Sequence, residues 1–187
     1  MSGPEYRQAV VIFYATRDGQ ARRIAEHIFR RLPQGMTAGL PRDVGVAPPV
    51  PTELAAAAVI VLVAAVRYGR HLPQVGRFFA AYRMLPSPPP LALASVNLSA
   101  RKPDKTTAAG NPYLRKLIAR QGLKPALAVA FAGRLDYRRY RWWDRQIIRF
   151  IMTLTRGPTD PDTCVEYTSW SAVDEFAAGI AALARYS

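Results

Sequence analysis

Six consecutive apolar residues, Val59-Ile60-Val61-Leu62-Val63-Ala64, restrict the fold of this chain more than any other feature. A β-strand turns successive side chains to opposite faces, so a strand without one polar position must be covered on both. Such strands belong to the interior of a parallel sheet with helices above and below. The uncharged stretch around it, Leu54 to Val66, is shorter than the ~20 residues that cross a bilayer and ends against Arg67, so it reads as a buried strand with a helical or loop lead-in.

The flanking segments repeat the theme. Ala9 to Tyr14 is a short apolar run stopping at a Thr-Arg-Asp-Gly turn, and the helix after it places Ile24, Ile28, Phe29 and Leu32 on one face and Arg22, Arg23, Arg30 and Arg31 in water, ending at Pro33 and Gly35. Further helices are predicted around Val75, Phe78, Phe79 and Tyr82, over Tyr113 to Arg120, and after the Ser169–Ser171 cap region ahead of Val173, Phe176, Ile180 and Leu183. Strands are predicted at Leu91 to Asn97 and Ala126 to Ala132, with a weak one around Met36 to Leu40 in the proline- and glycine-rich stretch Gly35 to Pro51. Pro86, Pro88, Pro89 and Pro90 read as a stiff helix-to-strand connector rather than a polyproline ligand. Strand and helix in alternation predict an α/β fold with a doubly wound, five-stranded parallel sheet.

One domain is expected over residues 1–187, with the alternation interrupted at 134–161 by an insertion within or beside the last strand, before a brief strand at Cys164 to Tyr167. At ~100° per residue on a helix, Arg138, Arg141, Arg145, Arg149 and Arg156 gather on one side of the insertion, and Trp143, Ile147, Phe150, Ile151 and Leu154 almost opposite. Such a stripe covers either the domain's own core or an anionic membrane surface.

Composition narrows the chemistry. The single cysteine, Cys164, excludes an internal disulfide, and two histidines leave no zinc ligand set, so no metal is expected and a cytoplasmic, reducing location fits. The stretch Met1 to Gln8 has no apolar segment, so no secretory leader is expected there. With 26 Lys and Arg against 13 Asp and Glu, the net charge of +13 favours anionic partners without choosing among them.

Ligands of open parallel sheets sit beyond the carboxyl ends of the strands, where strand order reverses. Three loops lie at such ends. Thr16-Arg17-Asp18-Gly19-Gln20-Ala21 leads into a helix amino end, whose free N–H groups and dipole suit an anion, although a plain βα turn has the same residues. Val66-Arg67-Tyr68-Gly69-Arg70-His71 offers an aromatic, a turn glycine and cations for the rim of a flat ring, or is simply a solvated turn. Asn97-Leu98-Ser99-Ala100-Arg101-Lys102 can hydrogen-bond a ring edge, while Arg101, Lys102 and Lys105 equally suit a solvated charge run.

Together the three loops resemble the flavodoxin arrangement around FMN. Beyond that, Phe13-Tyr14-Ala15-Thr16-Arg17-Asp18-Gly19-Gln20, Val66-Arg67-Tyr68-Gly69, Ser95-Val96-Asn97-Leu98-Ser99-Ala100-Arg101-Lys102-Pro103 and Arg138-Arg139-Tyr140-Arg141-Trp142-Trp143-Asp144-Arg145 resemble the quinone-dependent protoporphyrinogen IX oxidases, from about Val10 to Arg185. Where that family usually closes its phosphate loop on a hydroxyl residue, this chain has Ala21, so backbone N–H groups must suffice.

The resemblance implies an oxidoreductase that passes six electrons from protoporphyrinogen IX through FMN to a membrane quinone, menaquinone or ubiquinone. It implies FMN contacts from Thr16, Arg17, Asp18, Gly19, Gln20, Ala21, Val66, Arg67, Tyr68, Gly69, Ser95, Asn97, Leu98 and Ser99, and substrate propionates held by Arg67, Arg101, Arg138 and Arg141. No catalytic base stands out; His71 and Asp136 are the nearest choices. Peripheral attachment to the cytoplasmic side of the inner membrane is expected, and self-association is left open. The alternatives are a flavodoxin-type electron carrier without porphyrinogen activity, whose usual docking on basic partners this basic chain opposes, and a nucleic-acid-binding protein, which would leave the three loops idle.

Overall fold

The structure, a computed structural model, describes residues 9–136 and 164–185. Its elements run β1 (Val10–Ala15), α1 (Gln20–Arg31), β2 (Arg42–Asp43), α2 (Pro51–Ala56), β3 (Val59–Arg67), β4 (Arg70–His71), α3 (Pro73–Arg83), β5 (Leu91–Val96), α4 (Pro112–Gln121), β6 (Leu127–Phe131), β7 (Arg134–Asp136), β8 (Cys164–Glu166) and α5 (Trp170–Arg185), with 3-10 turns at Leu98–Arg101 and Pro103–Lys105.

Five parallel strands stand in the order β2-β1-β3-β5-β6, and β4 folds back antiparallel onto the end of β3. The order reverses between β1 and β3. Period-two alternation explains the continuous apolar runs, because each strand feeds two cores. Val11, Phe13 and Ala15 of β1 and Ile60, Leu62 and Ala64 of β3 join the cluster beneath α3 and α4. Val10, Ile12 and Tyr14, with Val59, Val61 and Val63, join the cluster beneath α1 and α5.

Two expectations shift. The second strand lies at Arg42–Asp43, paired with Phe13 and Tyr14, and the expected Met36 to Leu40 stretch joins β1 in a single parallel bridge of Thr37 to Val10, in which Met36 O accepts the Val10 N–H at 2.7 Å and the Ala38 N–H donates to Val10 O at 3.2 Å. The segment is an edge held by backbone pairing, with the Arg42 guanidinium 5.0 Å above the Phe13 ring, and it has no apolar pattern to read. Cys164–Glu166 pairs antiparallel with Arg134–Asp136 in a separate two-stranded ribbon, so the expected insertion leaves beside the last strand rather than within it. Residues 137–163, including most of that insertion, lie outside the described residues.

No helix among the described residues is long and apolar enough to cross a membrane, and no group of three metal-ligating side chains occurs among them.

Candidate functional site

A cleft opens at the carboxyl ends of the strands, over the point where strand order reverses. The loop after β1, the β3–β4 turn, the loop after β5, the start of α4 and the Gly133-Arg134 exit from β6 line it.

The first loop turns through Gly19, whose φ of 89° lies in the left-handed region, while its N–H donates to Thr16 Oγ1 at 3.0 Å. A Cβ at Gly19 would meet nothing within 4 Å, so the glycine is required by conformation rather than by crowding. No side chain caps the first turn of α1, which leaves its amino-terminal N–H groups facing the cleft end of the helix. Ala21 is buried and lines the cleft. The Gln20 side chain turns away, donating to Thr168 Oγ1 at 2.8 Å and Glu166 Oε1 at 3.1 Å, so only its backbone serves the loop. Arg17 is exposed and outside the cleft lining.

In the second loop Tyr68 has φ 50° and Gly69 φ 73°. Two positive φ values in succession make the tight hairpin turn joining twisted strands, and a tyrosine at such a position is strained. Tyr68 is 53% exposed at the cleft mouth, with the Arg67 guanidinium 5.0 Å from its ring centre. Arg67 itself donates to Asp18 Oδ2 at 2.6 Å, joining the second loop to the first. Its side chain is only 13% exposed.

The third loop rests on a buried polar network. Asn97 Nδ2 donates to Ser95 Oγ at 3.0 Å, Ser99 Oγ donates to Asn97 Oδ1 at 2.5 Å, and Asn111 Nδ2 donates to Asn97 Oδ1 at 3.1 Å and Lys105 O at 2.9 Å. Asn111 Oδ1 in turn caps α4 by accepting the N–H groups of Tyr113 and Leu114. Ser95 also meets His71 Nε2 at 2.9 Å, and burial lowers the His71 pKa to about 4. The imidazole is therefore neutral at ordinary pH. The Ser95 oxygen also accepts from Asn97 Nδ2, and the tautomer of the neutral ring sets which of His71 and Ser95 donates to the other.

The network places two of the expected residues. Ser95 is fully buried, does not line the cleft and accepts from Asn97. Asn97 lines the cleft while its side chain is hydrogen-bonded within the network. His71 does not line this cleft, and a group with so low a pKa is a poor proton acceptor.

Of the expected cofactor residues, Thr16, Asp18, Gln20, Ala21, Val66, Arg67, Tyr68, Gly69, Asn97, Leu98 and Ser99 line the cleft, as does Arg101 of the substrate set. Arg138 and Arg141 lie outside the described residues, as does the Asp136 side chain. Sequence reasoning missed Tyr113 and Arg134. Both follow directly from the strand-end rule, since Arg134 comes just after β6 and Tyr113 begins the helix that returns from β5. Arg67, Arg101, Lys102, Lys105 and Arg134 line the cleft against one carboxylate, Asp18, so it carries an excess of positive charge.

Residues 11–162 match the family model described as flavodoxin domain. The chain is 36% identical over 174 residues to the protoporphyrinogen IX dehydrogenase (quinone) of Escherichia coli strain K12, covering 92% of this chain and 94% of that protein. It is 42% identical over 124 residues to the protein of the same name from Leishmania major, covering 66% of this chain and 54% of the relative. Among solved structures, oxidised flavodoxin 1 of Bacillus cereus superposes with a TM-score of 0.53 at 14% identity, covering 91% of this chain and 95% of that one. The rubredoxin:oxygen oxidoreductase of Desulfovibrio gigas superposes with a TM-score of 0.56 at 13% identity, covering 96% of this chain and 36% of that one. These two likenesses show the fold. With a flavin-binding fold and a relative matched along nearly its whole length, the chain belongs to the flavodoxin domain family and, within it, to the family of the quinone-dependent protoporphyrinogen IX dehydrogenases.

Proposed function

We propose that this protein is an FMN-dependent oxidoreductase that converts protoporphyrinogen IX to protoporphyrin IX, removing six electrons in three two-electron steps and delivering them to a membrane quinone. One observation carries the reading: a cation-rich cleft at the sheet's reversal point, in a chain 36% identical over 92% of its length to a protein named for that reaction.

The residues fit a flavin with a single phosphate. The uncapped amino end of α1, the left-handed Gly19 and the Thr16 hydroxyl make one anion site. The other helix that begins at the cleft, α4, is already capped by Asn111 and offers no second site. The Tyr68-Gly69 turn and the Leu98-Ser99 segment stand on two sides of the remaining space and would flank the ring. A flavin held there supplies the two-electron acceptance that no side chain provides.

The chain's own part is placement and electrostatics. Arg67 and Asp18 fix two loops against each other, and Arg101, Lys102, Lys105 and Arg134 draw in a substrate bearing carboxylates. The carboxylate lining the cleft, Asp18, is tied to Arg67, and His71 is neutral with a low pKa. Among the described residues, neither group is a free base for protons released by the substrate. A bilayer-confined quinone and the net charge of +13 support peripheral attachment to the anionic, cytoplasmic face of the inner membrane.

Flavin released from the purified protein and separated by chromatography tests the cofactor. FMN is expected; an FAD-loaded protein, or a colourless one that FMN does not reconstitute, contradicts it.

A further inference from the structure

A second cleft adjoins the first. The β3–β4 turn and the start of α3 form one wall and α4 the other. Gly69 and Tyr113 line both clefts, and a Cβ on Gly69 would lie 3.9 Å from the Tyr113 ring, so one turn and one aromatic separate them. Leu72, Val75 and Leu117 line its apolar part, the last two buried. Arg70, Lys116 and Arg120 line it as exposed cations, and no aspartate or glutamate is among its described lining residues. Lys116 and Arg120 are one turn apart on α4, a like-charge spacing that costs helix stability. Cations gathered over an apolar surface without carboxylate partners suit an amphipathic anion with a flat hydrophobic body and acidic arms.

We propose that this cleft is the carboxylate subsite of the enzyme: Arg70, Lys116 and Arg120 hold the propionate edge of the tetrapyrrole, whose ring reaches past Gly69 and Tyr113 into the flavin cleft. The inference rests on the porphyrinogen reading above. It moves carboxylate recognition off Arg67, which Asp18 engages, and onto α4, an element the sequence read only as a helix packed on the sheet. The bond supplied is the charged N–H···O contact that an esterified porphyrin cannot accept as an anion.

The test is fluorescence titration of the flavin-loaded protein with protoporphyrin IX and, separately, with its dimethyl ester, for wild type, Lys116→Glu and Arg70→Gln/Arg120→Gln. The dissociation constant for the free acid should rise about tenfold or more in each variant, the scale of one lost charged hydrogen bond. Ester binding and flavin content should hold, and the urea midpoint should not fall, since each variant relieves the like-charge pair on α4. If the double variant does not fold, the exposed single substitution decides. An unchanged acid constant overturns the subsite, as does equal weakening of acid and ester, which would make the cations a packing surface. Loss of binding to phosphatidylglycerol vesicles with the acid constant unchanged also overturns it, in favour of a lipid contact. Weakened acid binding in a protein that fails to oxidise porphyrinogen would sustain the cleft and sink the activity instead.

Discussion

Arg67, at the end of β3, donates a 2.6 Å hydrogen bond to Asp18 in the loop after β1, bridging the two strand ends between which the sheet order reverses. The pair is more than surface decoration, because the arginine side chain is only 13% exposed. Asp18→Ala should therefore release both loops and weaken flavin binding about tenfold, measured as the flavin dissociation constant. Arg67→Ala should lose flavin in the same way, whereas Arg101→Ala, which lies in the same cleft but outside the bridge, should keep its flavin content. If Arg67→Ala keeps its flavin and only its Michaelis constant rises, the bridge is not what holds the site.

His71 gives the fold a pH signature. Burial lowers its pKa from 6.5 to about 4, so between those values the unfolded chain binds a proton that the folded chain refuses. Stability then rises with pH: the contribution is fully present above pH 6.5 and is lost as pH falls toward 4. The loss should be on the order of 2–3 kcal/mol. His71→Gln keeps a hydrogen-bonding partner for Ser95 but does not titrate, and urea midpoints from pH 7 to 4 should flatten. Parallel pH curves for variant and wild type would show that other groups carry the acid sensitivity.

Asn111 separates two roles within one side chain. Its Oδ1 caps α4 and its Nδ2 donates to Asn97, Ser99 and Lys105. Asn111→Asp keeps the cap and turns a carboxylate oxygen toward three former acceptors. A loss of about 2–4 kcal/mol by urea unfolding is expected despite a favourable helix amino end, since Lys105 O loses the Asn111 donor and a carboxylate would face the Asn97 carbonyl oxygen. Wild-type stability in this variant would mean that the network does not hold the third loop.

The amphipathic pattern of residues 138–156 leads to a membrane prediction from sequence alone. Wild-type protein should sediment with anionic but not neutral vesicles, and high salt should release it. Ile147→Ser/Ile151→Ser should weaken this attachment while leaving flavin content unchanged. Indifference to anionic vesicles at every salt concentration contradicts surface binding, and unfolding of the double variant assigns the stripe to the core.

The alternation of elements was legible because strands buried on both faces leave no polar residue to hide them, as Val59–Arg67 illustrates through its apolar first six positions. The three loops were legible through the strand-end rule. The two-residue strand Arg42–Asp43 was not, since backbone pairing to an edge needs no side-chain pattern. Nor was the His71–Ser95–Asn97–Asn111 network, whose members are spread over forty residues and meet only when β4, β5 and α4 come together. Gln20 shows the same limit: it lines the cleft at the head of α1, but the tie from its side chain to Thr168, 148 residues away, leaves no mark in the local sequence.

Anaerobic turnover of protoporphyrinogen IX by the flavin-loaded protein, with and without a soluble quinone, tests the central claim most directly. Excluding oxygen removes spontaneous oxidation, so porphyrin fluorescence reports the protein alone. The account predicts sustained porphyrin formation only with quinone, consuming three quinones for each porphyrin, and no sustained formation without it. Multiple turnovers in the absence of any acceptor, or none in the presence of quinone by a protein that holds its flavin, would contradict it.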